Sequence, residues 1–302
     1  MYSIRQVLNK DELSRIPKTF SQYKYSYIRT IKKDNIEKHF LADLLIGFNI
    51  GIEYFIVEEK NKILGFFSFE KNEWDSDFFK KKIYCVKNFK LKSDNATVLK
   101  ILIEKILSRC REINVDNLQV LLNYKSPFIV QELEKKGFIT NDVSCTYFFD
   151  TYKTSVPDLN YGNINLRSFK ESDLDHVLNL ARSSYSQDRY HSNPDLPNEI
   201  CDNFHESWIK NSCSGEIADY TVIAELDNIA VGYTTLKYFG NFDDIYADKI
   251  GALILSAVSP IAREAGIYTK MIHFGTNWLV DRGCKYIHLG TQVYNIPVQK
   301  SW

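Results

Sequence analysis

The chain has 302 residues, of which 44% are apolar and 25% are charged, and its 38 basic side chains balance 38 acidic ones. This composition is typical of a soluble globular protein, and the length favours two domains. Zero net charge argues against nucleic acid as a partner, and no stretch approaches the ~18 apolar residues of a membrane span.

The six cysteines are far apart and form no C-x-x-C pair. In a chain of this length they predict reduced thiols of a cytoplasmic protein rather than a disulfide framework. We expect no metal site. The N-terminus, M-Y-S-I-R-Q-V-L-N-K-D-E, carries charge early and has no long apolar core, so we predict no signal peptide.

The first half of the chain predicts an alternation of strands and helices. A short strand leads into one or two helices within residues 11–48, and a hairpin follows over 54–70. Next come a strand over 81–89, a helix over 94–110, a strand over 117–123 and a helix over 127–136. The segment S-C-T-Y-F-F-D, residues 144–150, predicts a last strand.

Residues 151–163 contain Pro157 and Gly162 and lack periodicity, which predicts a linker between domains 1–150 and 164–302. The second half repeats the order of the first. It predicts helices within 172–212, a hairpin over 219–239, strands over 249–258 and 285–291 around a helix over 266–282, and a helix from 296. Strand–helix–strand crossovers predict an α/β sheet with helices on both faces.

The two halves also share residues, which indicates a duplication. V-E-E-K-N-K-I-L-G-F-F-S-F (57–69) aligns without gaps with A-E-L-D-N-I-A-V-G-Y-T-T-L (224–236), so that Glu58 matches Glu225 and Gly65 matches Gly232. Both segments predict a hairpin with a tight polar turn.

The segment I-L-S-A-V-S-P-I-A-R-E-A-G-I-Y predicts a strand ending at Val258, a turn at Arg263–Gly266 and a helix from Ile267. Free N–H groups at a helix N-terminus, with an arginine beside them, suit an anion. A purely structural turn explains the same pattern. The first half has S-D-N-A-T-V (93–98) at the equivalent place, without the arginine or the glycine.

V-x-x-x-x-R-x-x-G on a strand-to-helix turn resembles the acetyl-CoA pyrophosphate loop of the GNAT superfamily of N-acetyltransferases. The resemblance implies two tandem GNAT-like domains, each a mixed and mostly antiparallel sheet flanked by helices, of which only the second binds acetyl-CoA. It also implies the cofactor-binding residues, namely Ala257, Val258, Arg263, Glu264, Ala265, Gly266, Ile267, Tyr268 and Asn295. Tyr268 departs from the family, which has a small residue there.

Five ordered blocks, among them W-D-S-D-F-F-K-K-K-I (74–83), S-Q-D-R-Y-H-S-N-P (186–194) and G-T-Q-V-Y-N (290–295), are similar to the bacterial TDP-fucosamine acetyltransferase family. This implies transfer of an acetyl group to a small-molecule amine, a nucleotide-linked amino sugar such as TDP-4-amino-4,6-dideoxygalactose, in polysaccharide biosynthesis. A peptide or aminoglycoside acceptor and an inactive CoA-binding protein are the alternatives. A homodimer is left open.

We expect Arg189, Tyr190 and His191, in one exposed loop, to contact the substrate, because they suit phosphate, base stacking and proton transfer. His191 and Glu225 are candidate bases, although a surface histidine and a hairpin glutamate are equally ordinary readings. His205 and Trp208 are expected to pack. In the resembling enzymes a tyrosine early in the last helix protonates the thiolate. Trp302 holds that position, and indole is not a usable acid, so Tyr294 is the candidate acid.

The end of the chain can be compared with the first half. Trp302 matches Leu133 of the first half, where the chain continues to Asp150. We therefore expect the second domain to lack its last helix body and strand, which exposes a sheet edge, and we interpret the chain as cut short.

Overall fold

The computed structural model describes residues 1–20, 23, 25–123, 125–240 and 249–302, with the side chains of 263–265 outside that description. The chain divides into two compact units, Met1–Thr140 and Asn141–Trp302. Each unit has its own mixed sheet with helices packed on it, which confirms the predicted α/β class. Among the described residues, no helix has both the length and the apolar character needed to cross a bilayer.

The sheet of the first unit has the strand order β1-β2-β3-β4-β6. The short strand β5 lies off this order and pairs with β3. Its strands are β1 (Ser3–Gln6), β2 (Glu53–Glu59), β3 (Lys62–Lys71), β4 (Ile83–Val86), β5 (Lys90–Leu91) and β6 (Asn117–Val120). Its helices are α1 (Arg15–Thr19), α2 (Lys33–Asn49), α3 (Glu73–Phe79), α4 (Ala96–Ile113) and α5 (Pro127–Glu134). Helix α3 was not predicted, because its seven residues are too short to show a helical period.

The sheet of the second unit has the order β7-β12-β11-β10-β9-β8. Its strands are β7 (Ser144–Asp150), β8 (Asn165–Ser168), β9 (Tyr220–Leu226), β10 (Ile229–Tyr238), β11 (Lys249–Val258) and β12 (Cys284–Gln292). Its helices are α6 (Leu174–Ser184), α7 (Asn198–Cys213), α8 (Ile267–Asp281) and α9 (Ile296–Lys300). Pairing is antiparallel except between β11 and β12, which are parallel.

The matched hairpins of the two units have the same construction. The turn residues Lys60 and Asn61 have φ values of 48° and 61°, and their counterparts Asp227 and Asn228 have 51° and 63°. Two positive φ values in a two-residue turn fit the right-handed twist of the strands that it joins.

The hairpins also carry the same ion-pair network. In each unit an arginine of the first strand is bonded to two carboxylates: Arg5 to Glu12 and Glu58, and Arg167 to Asp173 and Glu225. The residues that revealed the repeat in the sequence are therefore structural partners, which ties the first strand to the hairpin in both units.

The structure corrects the predicted place of strand β7. The sequence places residues Ser144–Asp150 in the first domain. In the structure this strand pairs antiparallel with β12, with Cys145 opposite Thr291. The edge that was expected to be open is covered by this strand, and the division between the units falls at Thr140, before β7. A strand pattern is local, but the sheet that accepts the strand is chosen by non-local pairing.

The predicted linker, residues 151–163, contains no helix or strand and connects β7 to β8 within the second unit. It is fastened to helix α8 through His273, which contacts the carbonyl oxygen of Pro157 at 2.6 Å and the hydroxyl of Tyr161 at 2.8 Å. The six cysteines are all free thiols, as predicted.

Candidate active site

A cleft opens where two parallel strands of the second unit separate. Strand β11 pairs with β12 only as far as Leu253 and Leu289, although β11 continues to Val258 and β12 to Gln292. A cavity of about 890 Å³ lies there, lined by both strand ends and by residues of α8, α9 and the segment 184–190. The predicted cofactor residues Ala257, Val258, Tyr268 and Asn295 all line it.

The free edge of β11 supplies backbone groups to this cleft. The amide N–H of Leu255 faces β10, since it donates to Oγ1 of Thr235 at 3.0 Å. Successive residues of a strand direct their backbone groups to alternate edges, so Ser256 and Val258 face the β12 side. The Ser256 carbonyl accepts from the hydroxyl of Tyr185 at 2.9 Å, while the N–H groups there can polarise a carbonyl in the cleft.

The turn after β11 leads directly into α8. A short 3-10 helix, Pro260–Ala265, ends at Gly266, whose φ of 66° lies in the left-handed region that favours glycine. Helix α8 then begins at Ile267, which is fully buried. Its N-cap residue, Gly266, has no side chain, so the first N–H groups of the helix lack a side-chain cap. The predicted side chains of Arg263, Glu264 and Ala265 lie outside the described residues.

The equivalent helix of the first unit is closed by its own residue. The Asn95 side chain accepts from the backbone N–H groups of Thr97 and Val98 at 3.0 and 3.1 Å. These are the donors that would face an anion, so a carboxamide cap occupies the place where the second unit leaves the N–H groups uncapped.

Helix α9 and the end of β12 form a second wall of the cleft. Asn295 donates from Nδ2 to Oγ1 of Thr291 at 3.1 Å, and the Tyr294 hydroxyl donates to the Gln187 carbonyl. The indole N–H of Trp302 donates to the Tyr268 hydroxyl at 3.1 Å. Burial raises the pKa of Tyr268 to about 12, so this phenol stays protonated near neutral pH.

Asp188 organises the opposite side of the cleft. Its Oδ1 accepts from the backbone N–H groups of Tyr190 and His191, and its Oδ2 accepts from His191 Nδ1 at 2.9 Å and His205 Nε2 at 2.7 Å. Burial alone raises the pKa of Asp188. Hydrogen bonds from His205 and His191, together with the positive charge that His205 has when it is protonated, outweigh burial and hold that pKa well below its ordinary value. Asp188 is therefore an ionised carboxylate.

The structure corrects the prediction that Arg189, Tyr190 and His191 share an exposed loop. Tyr190 is 3% exposed and the His191 side chain is 5% exposed, because both pack against α7. Arg189 and Tyr190 line the cavity, and the guanidinium lies 4.6 Å from the centre of the Tyr190 ring. His191 lies behind them, bridging Asp188 and Oδ1 of Asp202 at 3.1 Å.

Glu225 is not brought to the cleft. It lies on β9, bonded to Arg167 at 2.6 Å and to Nδ2 of Asn165 at 3.2 Å, and is not among the residues that line the cavity. These partners lower the pKa of Glu225, with the Arg167 hydrogen bond as the largest cause. A carboxylate held in this way is a weaker proton acceptor.

Three residues of the cleft were missed or were expected only to pack: Tyr185, Asp188 and His205. The sequence carried only a weak signal for them, because D-x-x-H occurs as Asp188–His191 and Asp202–His205 but also, outside the cleft, as Asp173–His176. The spacing places Asp and His on neighbouring positions of a turn or helix. Ligand atoms of Asp188, His191 and His205 lie within 4.8 Å of one another, but four hydrogen bonds already use the lone pairs of Asp188, so we assign no metal to them.

Comparison with known proteins agrees with this geometry. Residues 174–302 match the acetyltransferase (GNAT) family. The spore coat polysaccharide biosynthesis protein SpsD of Bacillus subtilis (strain 168) is 22% identical over 214 residues, which cover 69% of this chain and 71% of SpsD.

Two solved structures have the same fold as the chain. One is a tandem GNAT protein from the clavulanic acid biosynthesis pathway, with TM-score 0.56, 8% identity and coverage of 100% of this chain and 94% of that one. The other is the GCN5-related glucosamine N-acetyltransferase region of a fungal multi-domain GH3 beta-N-acetylglucosaminidase, with TM-score 0.62 and 13% identity. It covers 99% of this chain, which spans 36% of that protein.

The fold is therefore that of a tandem GNAT protein. The second unit is a GNAT acetyltransferase domain, and the chain is an N-acetyltransferase that uses acetyl-CoA. The cleft fits this cosubstrate, since the separated strands leave backbone donors beside a long cavity and the uncapped start of α8 lies at the end of β11.

Proposed function

We propose that the protein acetylates the amine of a nucleotide-linked amino sugar, such as TDP-4-amino-4,6-dideoxygalactose, for a surface polysaccharide. The observation that carries this proposal is the cavity of about 890 Å³, which has room for a second ligand beside the strand cleft. The name of SpsD supports a role in polysaccharide biosynthesis, and the fungal glucosamine N-acetyltransferase region supports an amino-sugar acceptor. A cytoplasmic location suits a reaction that consumes acetyl-CoA.

The acceptor side of the cavity has the groups that a sugar nucleotide requires. Arg189 provides a guanidinium, which binds phosphate oxygens in a fork geometry, and Trp208 provides an aromatic face for a base or a sugar ring. Asp188 provides a fixed negative charge that attracts an ammonium group. Phosphate and amine would then contact opposite charges at one wall of the cavity.

The reaction needs placement, carbonyl polarisation and proton transfer. The backbone of Ser256 and Val258 and the Asn295 side chain would hold the pantetheine arm, while the free N–H groups at Gly266 and Ile267 would face the pyrophosphate. An N–H of the β11 edge would polarise the thioester carbonyl. We retain Tyr294 as the candidate acid for the thiolate, with Tyr268 as a second phenol in the cavity.

Two measurements test the function in order. Calorimetry should show acetyl-CoA binding with a Kd in the range of about 1 µM to 1 mM, and absence of binding at millimolar ligand would refute the assignment. A thiol-release assay should then show turnover with the TDP-linked amino sugar, but not with the same sugar nucleotide lacking its amine. Faster turnover of a peptide or an aminoglycoside would instead identify another acceptor class.

Arg189→Ala tests the acceptor side. Loss of one bidentate phosphate contact should raise KM for the sugar nucleotide about 10-fold or more, with an unchanged Kd for acetyl-CoA. The matched control is Arg182→Ala, because Arg182 is an exposed arginine of α6 outside the cavity lining. Equal effects of the two variants would remove Arg189 from the substrate site.

Trp302 favours a second candidate, a CoA-binding protein without turnover. It lines the cavity where the resembling enzymes have a tyrosine, and its indole N–H is already committed to the Tyr268 hydroxyl. This candidate predicts acetyl-CoA binding without thiol release for any amine in a broad panel. Gain of turnover in Trp302→Tyr would support it, whereas turnover by the natural chain would exclude it.

A further inference from the structure

The imidazole of His205 lies in an enclosed place within the wall of the cavity. It is 3% exposed, on helix α7, with its ring stacked 4.4 Å from the Tyr185 ring and parallel to Trp208 at 6.1 Å. Its Nε2 contacts Asp188, but its Nδ1 is shielded from water and has no hydrogen-bond partner within the described part of the chain. A buried polar atom of this kind requires an explanation, and a catalytic role is one.

The hydrogen bonds determine where the protons lie. Asp188 accepts four hydrogen bonds and is ionised, so His205 must carry its proton on Nε2 in order to donate to Oδ2. Both nitrogens of His191 face carboxylate oxygens, of Asp188 and of Asp202. Because Nε2 donates to Asp188, the neutral form of His205 has its lone pair on Nδ1, and this is the form that can act as a base.

We propose that His205 is the general base of the reaction, with Nδ1 accepting a proton from the ammonium form of the acceptor, and that Asp188 is its positioning residue. This inference rests on the proposed acetyl transfer. His205 takes one proton from R–NH₃⁺, and the neutral amine forms the C–N bond to the acetyl carbon as the C–S bond breaks. The second amine proton ends on the thiolate sulfur, and His205 gives its proton to water that enters the cavity when the products leave.

The surroundings of His205 favour this assignment. Tyr185 and Tyr233 are phenols whose pKa values burial raises strongly, so neither competes as a proton acceptor. Among the described residues, the titratable groups in contact with the imidazole are Tyr185, Asp188, Tyr190 and His191. Around these partners lie Arg189, Cys201 and Asp202, and Tyr233 of strand β10. The carboxylate that contacts His205 is that of Asp188, which accepts a hydrogen bond from Nε2 and so fixes the orientation of the ring.

His205→Gln separates a base from a packing residue. The glutamine amide can still donate to Asp188 from the position of Nε2, but it offers no basic nitrogen. We expect kcat to fall about 10²-fold or more, with Kd for acetyl-CoA unchanged, and the loss of activity at low pH that protonation of the base causes should disappear. His176→Gln, at an exposed histidine of α6, is the control and should leave kcat and the pH profile unchanged.

A threefold or smaller effect of His205→Gln on kcat, or a retained acid limb in its pH profile, would overturn the proposal. If that variant does not fold, long-range ¹H–¹⁵N spectra of the natural protein decide the question. The Nε2–H tautomer of His205 supports the base, and an Nδ1–H tautomer contradicts it.

Two further outcomes are distinguishable. Loss of activity on adding EDTA, restored by one equivalent of Zn²⁺, would identify a metal at Asp188, His191 and His205 and overturn the base. Absence of acetyl-CoA binding or of turnover in the natural protein would refute the proposed function itself. The histidine tautomers would still report on the network in that case.

Discussion

Asp188→Asn should destabilise the second unit strongly, because the carboxylate accepts four hydrogen bonds in a largely buried place. An asparagine keeps an acceptor for the two backbone N–H groups, but its amide hydrogens would face the N–H groups of His191 and His205. Two charge-assisted bonds of about 1.5–3 kcal/mol each are lost, so we expect the free energy of unfolding to fall by about 3–5 kcal/mol. For a unit of this size the midpoint of thermal unfolding should fall by about 10 °C.

The assay is thermal and urea unfolding of the full chain, with Asp202→Asn as the matched control. Asp202 makes one hydrogen bond in the network, to His191 Nε2, and its side chain is 36% exposed. The same chemical change there should cost less than about 1 kcal/mol. Equal losses in the two variants, or a loss under about 1 kcal/mol at Asp188, would refute the hydrogen-bond reasoning.

The pKa of Asp188 is lower in the folded state than its unfolded value of about 3.9. The stability that the Asp188 carboxylate contributes is therefore complete above about pH 4 and is lost as the pH falls through the folded-state pKa. The difference in unfolding free energy between the natural protein and Asp188→Asn should accordingly shrink only below about pH 4. Glu225→Gln should leave kcat within about twofold in the thiol-release assay, since Glu225 pairs with Arg167 outside the cavity, and a fall of about 10²-fold would restore it as a base. Gly266→Ala should lower the free energy of unfolding by about 1 kcal/mol, because φ is 66°, and should weaken acetyl-CoA binding measured by calorimetry. Asn95→Ala should lower the free energy of urea unfolding by about 1 kcal/mol, because the α4 cap is lost. The calorimetric Kd for acetyl-CoA should stay unchanged, and a weaker Kd would place acetyl-CoA in the first unit.

Much of the fold could be predicted because its signals are local. Asn61, Asp227 and Asn228 in the hairpin turns adopt the positive φ values that asparagine and aspartate tolerate. The predicted strands and long helices of both units are present. Helix α3 was missed because a single short helix between charged residues has no readable period. The match of Glu58 with Glu225 was visible in the sequence, but its meaning, an ion pair to an arginine in each unit, was not.

Only part of the candidate site could be predicted in the same way. The strand-to-helix turn at Gly266 has a spacing that can be recognised, and Val258 and Asn295, which were predicted to bind the cofactor, line the cavity. The cluster on the acceptor side could not be assembled from spacing alone. His191 and His205 lie on a loop and a helix, and their shared partner Asp188 becomes visible only when the helix packs against the loop.

The sequence by itself determined the local elements, the duplication and the turn that ends β11, because backbone preferences and neighbouring side chains act over a few residues. The tertiary structure decided which sheet receives β7, since a strand pattern pairs with whichever edge the chain can reach. It also decided that His205 keeps a shielded, unpartnered nitrogen, because burial and the direction of a hydrogen bond depend on residues that meet only in the folded protein.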